Sequence, residues 1–200
     1  MARIYLLRHG QTHYNLEQRI QGSLDSPLTS QGRDQARAMG EKLRGMLETA
    51  EGGDGEFEVI SSPQPRAYES ALLMREAWGI DKPVITDARL VEVGCGSWEK
   101  HHFSTIQARD PLVEDEPTFL AAWAHHCADG EGLDAAVERL WGWLRWAGNR
   151  NLVVVGHGVS GSILRALYVG EGRDAMLTYN PVTPDRFHRL EGGWAEEIVV

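Results

Sequence analysis

Three short apolar runs in this chain end in turns loaded with reactive side chains. Ile4–Leu7 leads into Arg8-His9-Gly10, Phe57–Ile60 into Ser61-Ser62-Pro63-Gln64-Pro65-Arg66, and Leu152–Val155 into Gly156-His157-Gly158. One histidine after a strand is usually a turn residue. Two His-Gly turns, with Arg8 and Arg66 beside them, are a combination that chance seldom produces. In open α/β sheets the ligand crevice lies beyond the carboxyl ends of the strands. If these three strands are parallel neighbours, two His and two Arg converge on one point, and Glu92, in the irregular segment after Leu90, closes the ring.

Such a ring suits a phosphomonoester. Guanidinium groups present planar forks of donors matched to phosphate oxygens. A neutral imidazole among them can attack phosphorus as a covalent nucleophile, and neighbouring cations disfavour its protonated form. Fixed Arg and His donors meet the charge of a transferring phosphoryl group without calling on a metal. A carboxyl group must protonate the departing alcohol, the task assigned to Glu92.

The elements that position these groups follow from periodicity. The continuous apolar runs read as buried strands of a parallel sheet. Thr29 or Ser30 caps a helix to about Leu47, with Ala36, Met39, Leu43 and Leu47 at helical spacing, and Gly52-Gly53-Asp54-Gly55 ends it. A helix from about Pro65 to Trp78 carries Ala67, Ala71, Met74 and Trp78 on one side. Val84–Thr86 is a weak strand. Residues 11–28 and 87–100 read as loops, and 101–131 as short helices. Leu133–Ala147 reads as an amphipathic helix, with Val137, Leu140, Trp141 and Leu144 as its core stripe. Another helix spans about Ser160 to Tyr168, and Phe187–Leu190 with Ile198–Val200 reads as a hairpin or two edge strands. Strands alternating with helices predict a three-layer α/β/α sandwich with a mostly parallel sheet. The expected organisation is one domain over 1–200, with a small helical cap inserted at about 99–131.

Composition narrows the partners. A net charge of −9 over 200 residues argues against a nucleic-acid binder. The twenty basic residues are three Lys and seventeen Arg, so any positive site is local. No apolar run approaches a membrane span or signal peptide, and the two cysteines, Cys95 and Cys127, form no CxxC. The expectation is a soluble cytoplasmic protein acting on a small phosphorylated substrate, with no nucleic acid, membrane, cofactor or metal involved. A homodimer is left open.

Arg8-His9-Gly10-Gln11-Thr12 with Asn15 resembles the RHG(E/Q)T signature of the histidine phosphatase superfamily, the phosphoglycerate mutase-like proteins. The likeness continues through Gln21-Gly22, Asp25-Ser26-Pro27-Leu28-Thr29, Gly32 and Gln35-Ala36. It resumes at Ser61-Ser62-Pro63 with Arg66-Ala67, at Leu90-Val91-Glu92 with Gly96 and Trp98-Glu99, and at Gly156-His157-Gly158. These segments stand in family order. The resemblance implies that His9 becomes phosphohistidine, that Arg8, Arg66 and His157 form the phosphate pocket, and that Glu92 is the general acid/base. It also implies that Asn15, Gln21 and Gly22 contact the phosphate or adjacent substrate atoms. Ser70 stands where many relatives have Thr, Lys100 where Gly often follows Trp-Glu, and Gly132 where Ser is common. Phosphomonoester hydrolysis through His9 is the expected activity. Phosphoglycerate mutase-type transfer is the alternative, disfavoured because cofactor-dependent mutases of the family are longer. A silent phospho-ligand binding module would lack one of the five core residues, and all five are present.

Other features read as structural. His101-His102 and His125-His126 are adjacent pairs whose side chains leave a helix about 100° apart, a poor two-ligand face. Cys95 falls near the site with nothing to lower its pKa, which suits a bystander. Trp141 is expected in the core, Trp143 and Trp146 packed under the cap, and Glu114-Asp115-Glu116 a solvated loop.

Overall fold

The computed structural model describes residues 3–47 and 57–200. The glycine cluster at 52–55 lies outside them. Among the described residues six strands form one sheet: β1 (Arg3–Arg8), β2 (Phe57–Ser61), β3 (Val84–Thr86), β4 (Asn151–Gly156), β5 (Arg186–Glu191) and β6 (Trp194–Val199). Their order is β3-β2-β4-β1-β5-β6. The pairs β2–β3, β2–β4 and β1–β4 are parallel, whereas β5 runs antiparallel to β1 and to β6. The tail is therefore a hairpin, and β5 is an interior strand.

Both faces of the sheet are covered, which explains the unbroken apolar runs. Tyr5, Leu7, Val59, Val153 and Val155 pack with Ala36, Met39 and Leu43 of α2 (Ser30–Leu47) and Ala67, Ala71 and Met74 of α3 (Pro65–Trp78). The alternate residues Ile4, Leu6, Ile60, Leu152 and Val154 pack with Leu140 and Trp143 of α6 (Leu133–Ala147) and Ile163 and Leu164 of α7 (Val159–Val169). The sandwich is α/β/α, with a mostly parallel sheet.

Three local expectations are corrected. The loop at 11–28 contains a one-turn helix, α1 (His13–Leu16), capped by Thr12. A short helix, α8 (Arg173–Leu177), follows α7 without having been expected. On α6 the buried face is Leu133, Ala136, Leu140, Trp143 and Ala147, so Trp143 is core while Trp141 is 45% exposed. The apolar stripe on this helix is broad enough to be read two ways, and the sheet selects the side bearing Ala136. Trp146 is also partly exposed, under the guanidinium of Arg150 at 4.3 Å.

The 99–131 segment holds α4 (Phe103–Arg109), a 3₁₀ turn at Pro111–Val113 and α5 (Phe119–His126). Among the described residues no helix is long and apolar enough to cross a membrane.

Candidate active site

The topology places β4 between β2 and β1, so the three reactive turns open at one edge of the sheet. Arg8 is in register with Gly156, and the His9 backbone N–H donates to Gly156 O at 3.0 Å. The chain leaves β1 and returns as β2 on the far side of β4, a switch point of the kind where α/β sheets hold ligands.

His9 is 3% exposed. Its Nδ1 donates to Gly10 O at 2.7 Å, because a carbonyl can only accept. Nε2 therefore carries the lone pair, and it accepts from Arg66 Nε at 3.3 Å. The ring is held well below the usual histidine pKa, first by burial and then by the charges of Arg8 and Arg66. Gly10 has no room for a side chain: a Cβ would lie 1.9 Å from Gly32 O.

Arg66, at the start of α3, is 1% exposed and fully committed. Its NH1 donates to Leu24 O at 2.7 Å and to Asp25 Oδ1 at 3.1 Å, and NH2 donates to Gly22 O at 2.9 Å. Gln21, with its amide oxygen turned toward Arg66, accepts from Nε and NH1 at 3.2 Å. Ser70 stands one turn along, accepting from Gly10 N at 3.1 Å and donating to Arg66 O at 2.7 Å. Ser supplies the hydroxyl that a Thr would. Arg8 donates from NH1 to Val182 O at 2.9 Å, while its buried Nε has no partner.

His157 is 1% exposed, with its ring edge-on to His9 at 5.2 Å between centroids. It is not among the residues that border the open cavity. Ser62 Oγ accepts from Gln64 N at 3.3 Å and is hydrogen-bonded to His157 Nε2 at 2.8 Å. Nδ1 of the same ring is buried without a partner. Burial, then Arg66, His9 and Arg8, hold this ring below its ordinary pKa as well.

Glu92 reaches the start of α7. Its Oε2 accepts from Gly158 N and Val159 N at 3.0 and 3.1 Å, and Oε1 from Ser160 N and Val93 N at 2.8 and 3.0 Å. It thus satisfies backbone donors that a helix N-terminus leaves free.

A cavity of about 220 Å³ opens over these groups. Arg8, His9, Asn15, Gln21, Gly22, Arg66 and Glu92 line it, so every expected site residue except His157 borders it directly. Asn15 Oδ1 also accepts from Thr12 N at 3.1 Å, closing the α1 cap. The rest of the wall is largely apolar, from Ile20, Val93, Cys95, Phe103, Phe119 and Pro181. Arg19 also borders it but is spent on Glu17 at 2.7 Å and Lys100 O at 2.9 Å. Burial raises the Cys95 thiol well above its ordinary pKa, in keeping with a bystander.

Sequence reasoning assigned no role to three residues that hold the ring together. Ser62 orients His157. Gln64 accepts from Glu92 N at 2.8 Å and reaches Gly22 O and Ser23 O at 3.3 Å. Glu99 accepts from Ser23 N, Ser23 Oγ and Cys95 N at 2.7–3.0 Å. The first two lie in the Ser61–Arg66 turn itself, so its density of polar groups was the available signal.

A buried neutral imidazole ringed by guanidinium donors at the carboxyl edge of a doubly covered sheet defines a phosphoryl-handling α/β protein. The sequence is matched over residues 4–191 by the model of the histidine phosphatase superfamily (branch 1), and the chain belongs to that family. It is 34% identical over 180 residues to a probable phosphoglycerate mutase GpmB of Klebsiella pneumoniae, covering 85% of this chain and 76% of that one. A protein of the same name from Citrobacter koseri is 36% identical over 130 residues, 65% of this chain and 53% of its own length. The chain thus spans about half the length of some curated relatives it matches. A solved mycobacterial glucosyl-3-phosphoglycerate phosphatase, in complex with VO3, superimposes with a TM-score of 0.78 at 25% identity, covering 98% of this chain and 96% of that one.

Proposed function

We propose that the protein is a metal-independent phosphomonoesterase that hydrolyses a small phosphorylated substrate through a phosphohistidine on His9. The observation that carries this reading is the His9 Nδ1–H···O=C bond to Gly10, which leaves the lone pair on Nε2, unprotonated, inside the ring of cations. Nε2 attacks phosphorus, the P–O bond to the alcohol breaks, and the positive charge gained by the ring is shared with Gly10 O. Arg8 Nε, a buried donor without a partner on a residue that borders the cavity, supplies a hydrogen bond to a phosphoryl oxygen, and His157 stands beside His9 at 5.2 Å between ring centroids. Glu92 gives a proton to the departing alkoxide. It then takes one from the water that attacks phosphorus and releases inorganic phosphate from Nε2. Because three of the four Glu92 contacts are backbone N–H groups at the α7 N-terminus, an arriving phosphoryl group can take over some of them. That exchange frees the carboxyl group to turn toward the leaving oxygen.

The wall chemistry favours hydrolysis of a singly phosphorylated substrate. Beyond Arg8 and Arg66, the one other cation bordering the cavity, Arg19, is already paired. A second phosphate or carboxylate on the substrate would face Phe103, Phe119 and Val93. A mutase reading rests on the names of the curated relatives. The test is phosphate release from aryl phosphates, phosphosugars, phosphoglycerates, nucleotides and phosphopeptides in excess chelator, with a parallel phosphoglycerate isomerisation assay. Chelator-resistant release that vanishes in His9→Ala supports the phosphatase. Isomerisation without net release replaces it with the mutase, and neither activity points to a silent module.

A further inference from the structure

Glu116 lies between the two histidines at the end of α5. His125 Nδ1 is 2.8 Å and His126 Nε2 is 3.0 Å from the same oxygen, Glu116 Oε1. Adjacent residues on a helix diverge, yet Nδ1 of one ring and Nε2 of the other converge here, with the rings 78° apart. The Cβ directions of adjacent helical residues diverge, but the two different ring nitrogens reach back to one point. One nitrogen from each ring and a carboxylate oxygen lie within 4.8 Å of one another. A tetrahedral Zn²⁺, with bonds of about 2.0–2.1 Å, holds its ligand atoms about 3.3 Å apart.

The groups around this trio are those of a metal site. Asp110 Oδ2 lies 3.7 Å from His126 Nδ1, on the opposite edge of the ring from the nitrogen that faces Glu116. At that distance the carboxylate makes no hydrogen bond to the ring but adds negative charge behind it. Glu116 and His126 are largely enclosed, with side chains 16% and 17% exposed, whereas His125 at 49% leaves a side open to water. Glu114 and Asp115, its neighbours, face solvent; Glu116 has turned away from them.

We propose that Glu116, His125 and His126 bind one divalent cation of the zinc type, with water completing the shell. Two imidazoles and a carboxylate suit Zn²⁺, Co²⁺ or Ni²⁺ better than Mg²⁺ or Ca²⁺, which prefer all-oxygen shells. The ion takes the place of two N–H protons now shared with one oxygen, so binding releases no more than those protons. It clips the segment before α5 to that helix's last turn. Phe119, the first residue of α5, packs on Phe103 at 5.2 Å between centroids, and both border the catalytic cavity. The cation therefore braces one wall of the cavity without touching the reacting atoms. This proposal does not depend on the reaction assigned to His9.

The test is a Zn²⁺ titration of the full-length protein, free of any purification tag, against a chromophoric chelator. Co²⁺ visible spectra and thermal melts accompany it. Wild type is expected to bind one equivalent, to give the Co²⁺ bands of a histidine–carboxylate site, and to melt higher with Zn²⁺. Glu116→Gln and His126→Ala weaken binding by more than the about 10–100-fold that outer partners contribute, and Asp110→Asn weakens it by less. His101→Ala with His102→Ala leaves binding unchanged. Failure of wild type to compete for Zn²⁺ overturns the proposal, as does undiminished affinity in Glu116→Gln and His126→Ala. Should either variant lose its cooperative melt, His125→Gln, at the exposed ligand, decides by the same readouts.

Discussion

Arg66 Nε stands 3.3 Å from Nε2 of His9, and the same guanidinium is bonded to Leu24 O, Gly22 O and Asp25. The cation is therefore fixed before any substrate arrives. Its position makes protonation of His9 unfavourable and places a donor beside the nitrogen proposed to attack phosphorus. Preorganisation of this kind costs nothing at the moment of reaction.

Glu92→Gln keeps the shape of the side chain but cannot carry a transferable proton. Hydrolysis of alkyl phosphates is expected to fall about 10²–10⁴-fold, whereas activated aryl phosphates, whose leaving groups need no proton, lose far less in the first step. Pre-steady-state release of the alcohol or phenol, the product of the first step, measures this with both substrate classes. Equal losses in the first step remove Glu92 from the acid role.

Ser62→Ala removes the hydroxyl hydrogen-bonded to His157 Nε2 at 2.8 Å. The ring then has no fixed partner at either nitrogen, and a buried polar atom is left unsatisfied, a loss of about 1–3 kcal/mol. We expect kcat to drop about tenfold or more with little change in KM. Unchanged kcat would show that His157 needs no fixed partner.

The neutral, buried histidines make stability depend on pH. His9 and His157 are held well below their ordinary pKa, and His188, 3% exposed beside Arg165, is pushed down to about 4. Below pH 6.5 the unfolded chain binds protons that the folded chain refuses, so folding stability is full above that pH and falls as acid is added. Each such group contributes a slope of about 1.4 kcal/mol per pH unit once the unfolded form is protonated. Urea midpoints from pH 7.5 to 4.5 should show this fall, and His188→Asn should flatten it. A flat profile in wild type contradicts the buried-neutral assignment.

Lys100 has φ = 70°, a left-handed conformation that costs a residue with Cβ about 1–2 kcal/mol. Its backbone N–H donates to Ile20 O at 2.8 Å, and its carbonyl accepts from Arg19, so the strain is held by the turn. This accounts for the Gly often found there in relatives. Lys100→Gly is expected to stabilise by up to about 1 kcal/mol, the gain in φ being offset in part by the freer unfolded chain. Chemical denaturation of the two proteins checks it, and destabilisation would contradict the strain.

The sandwich and the ring of reactive residues were legible because both rest on local signals. β1 and β4 are uninterrupted apolar runs, and α2 and α3 bury the residues that their spacing selects. His9, Arg66 and His157 follow directly from strand ends. What escaped depends on single contacts between distant segments. Ser62 meets His157 across 95 positions and Gln64 meets Glu92 across 28, neither with any periodicity to read. Trp141 was misplaced because a broad stripe does not say which edge the sheet will cover. The convergence of Glu116 on two adjacent histidines required the turn that folds 110–116 back along α5.

The covalent intermediate is the most direct test. Wild type mixed with excess activated aryl phosphate and quenched in base within the first turnover should carry a phosphoryl group on the peptide containing His9, base-stable and acid-labile. The label and turnover should both disappear in His9→Ala while its circular dichroism and urea midpoint stay near wild type. Steady phosphate release with His9 unlabelled throughout, or substantial turnover by His9→Ala, would contradict nucleophilic attack by this residue.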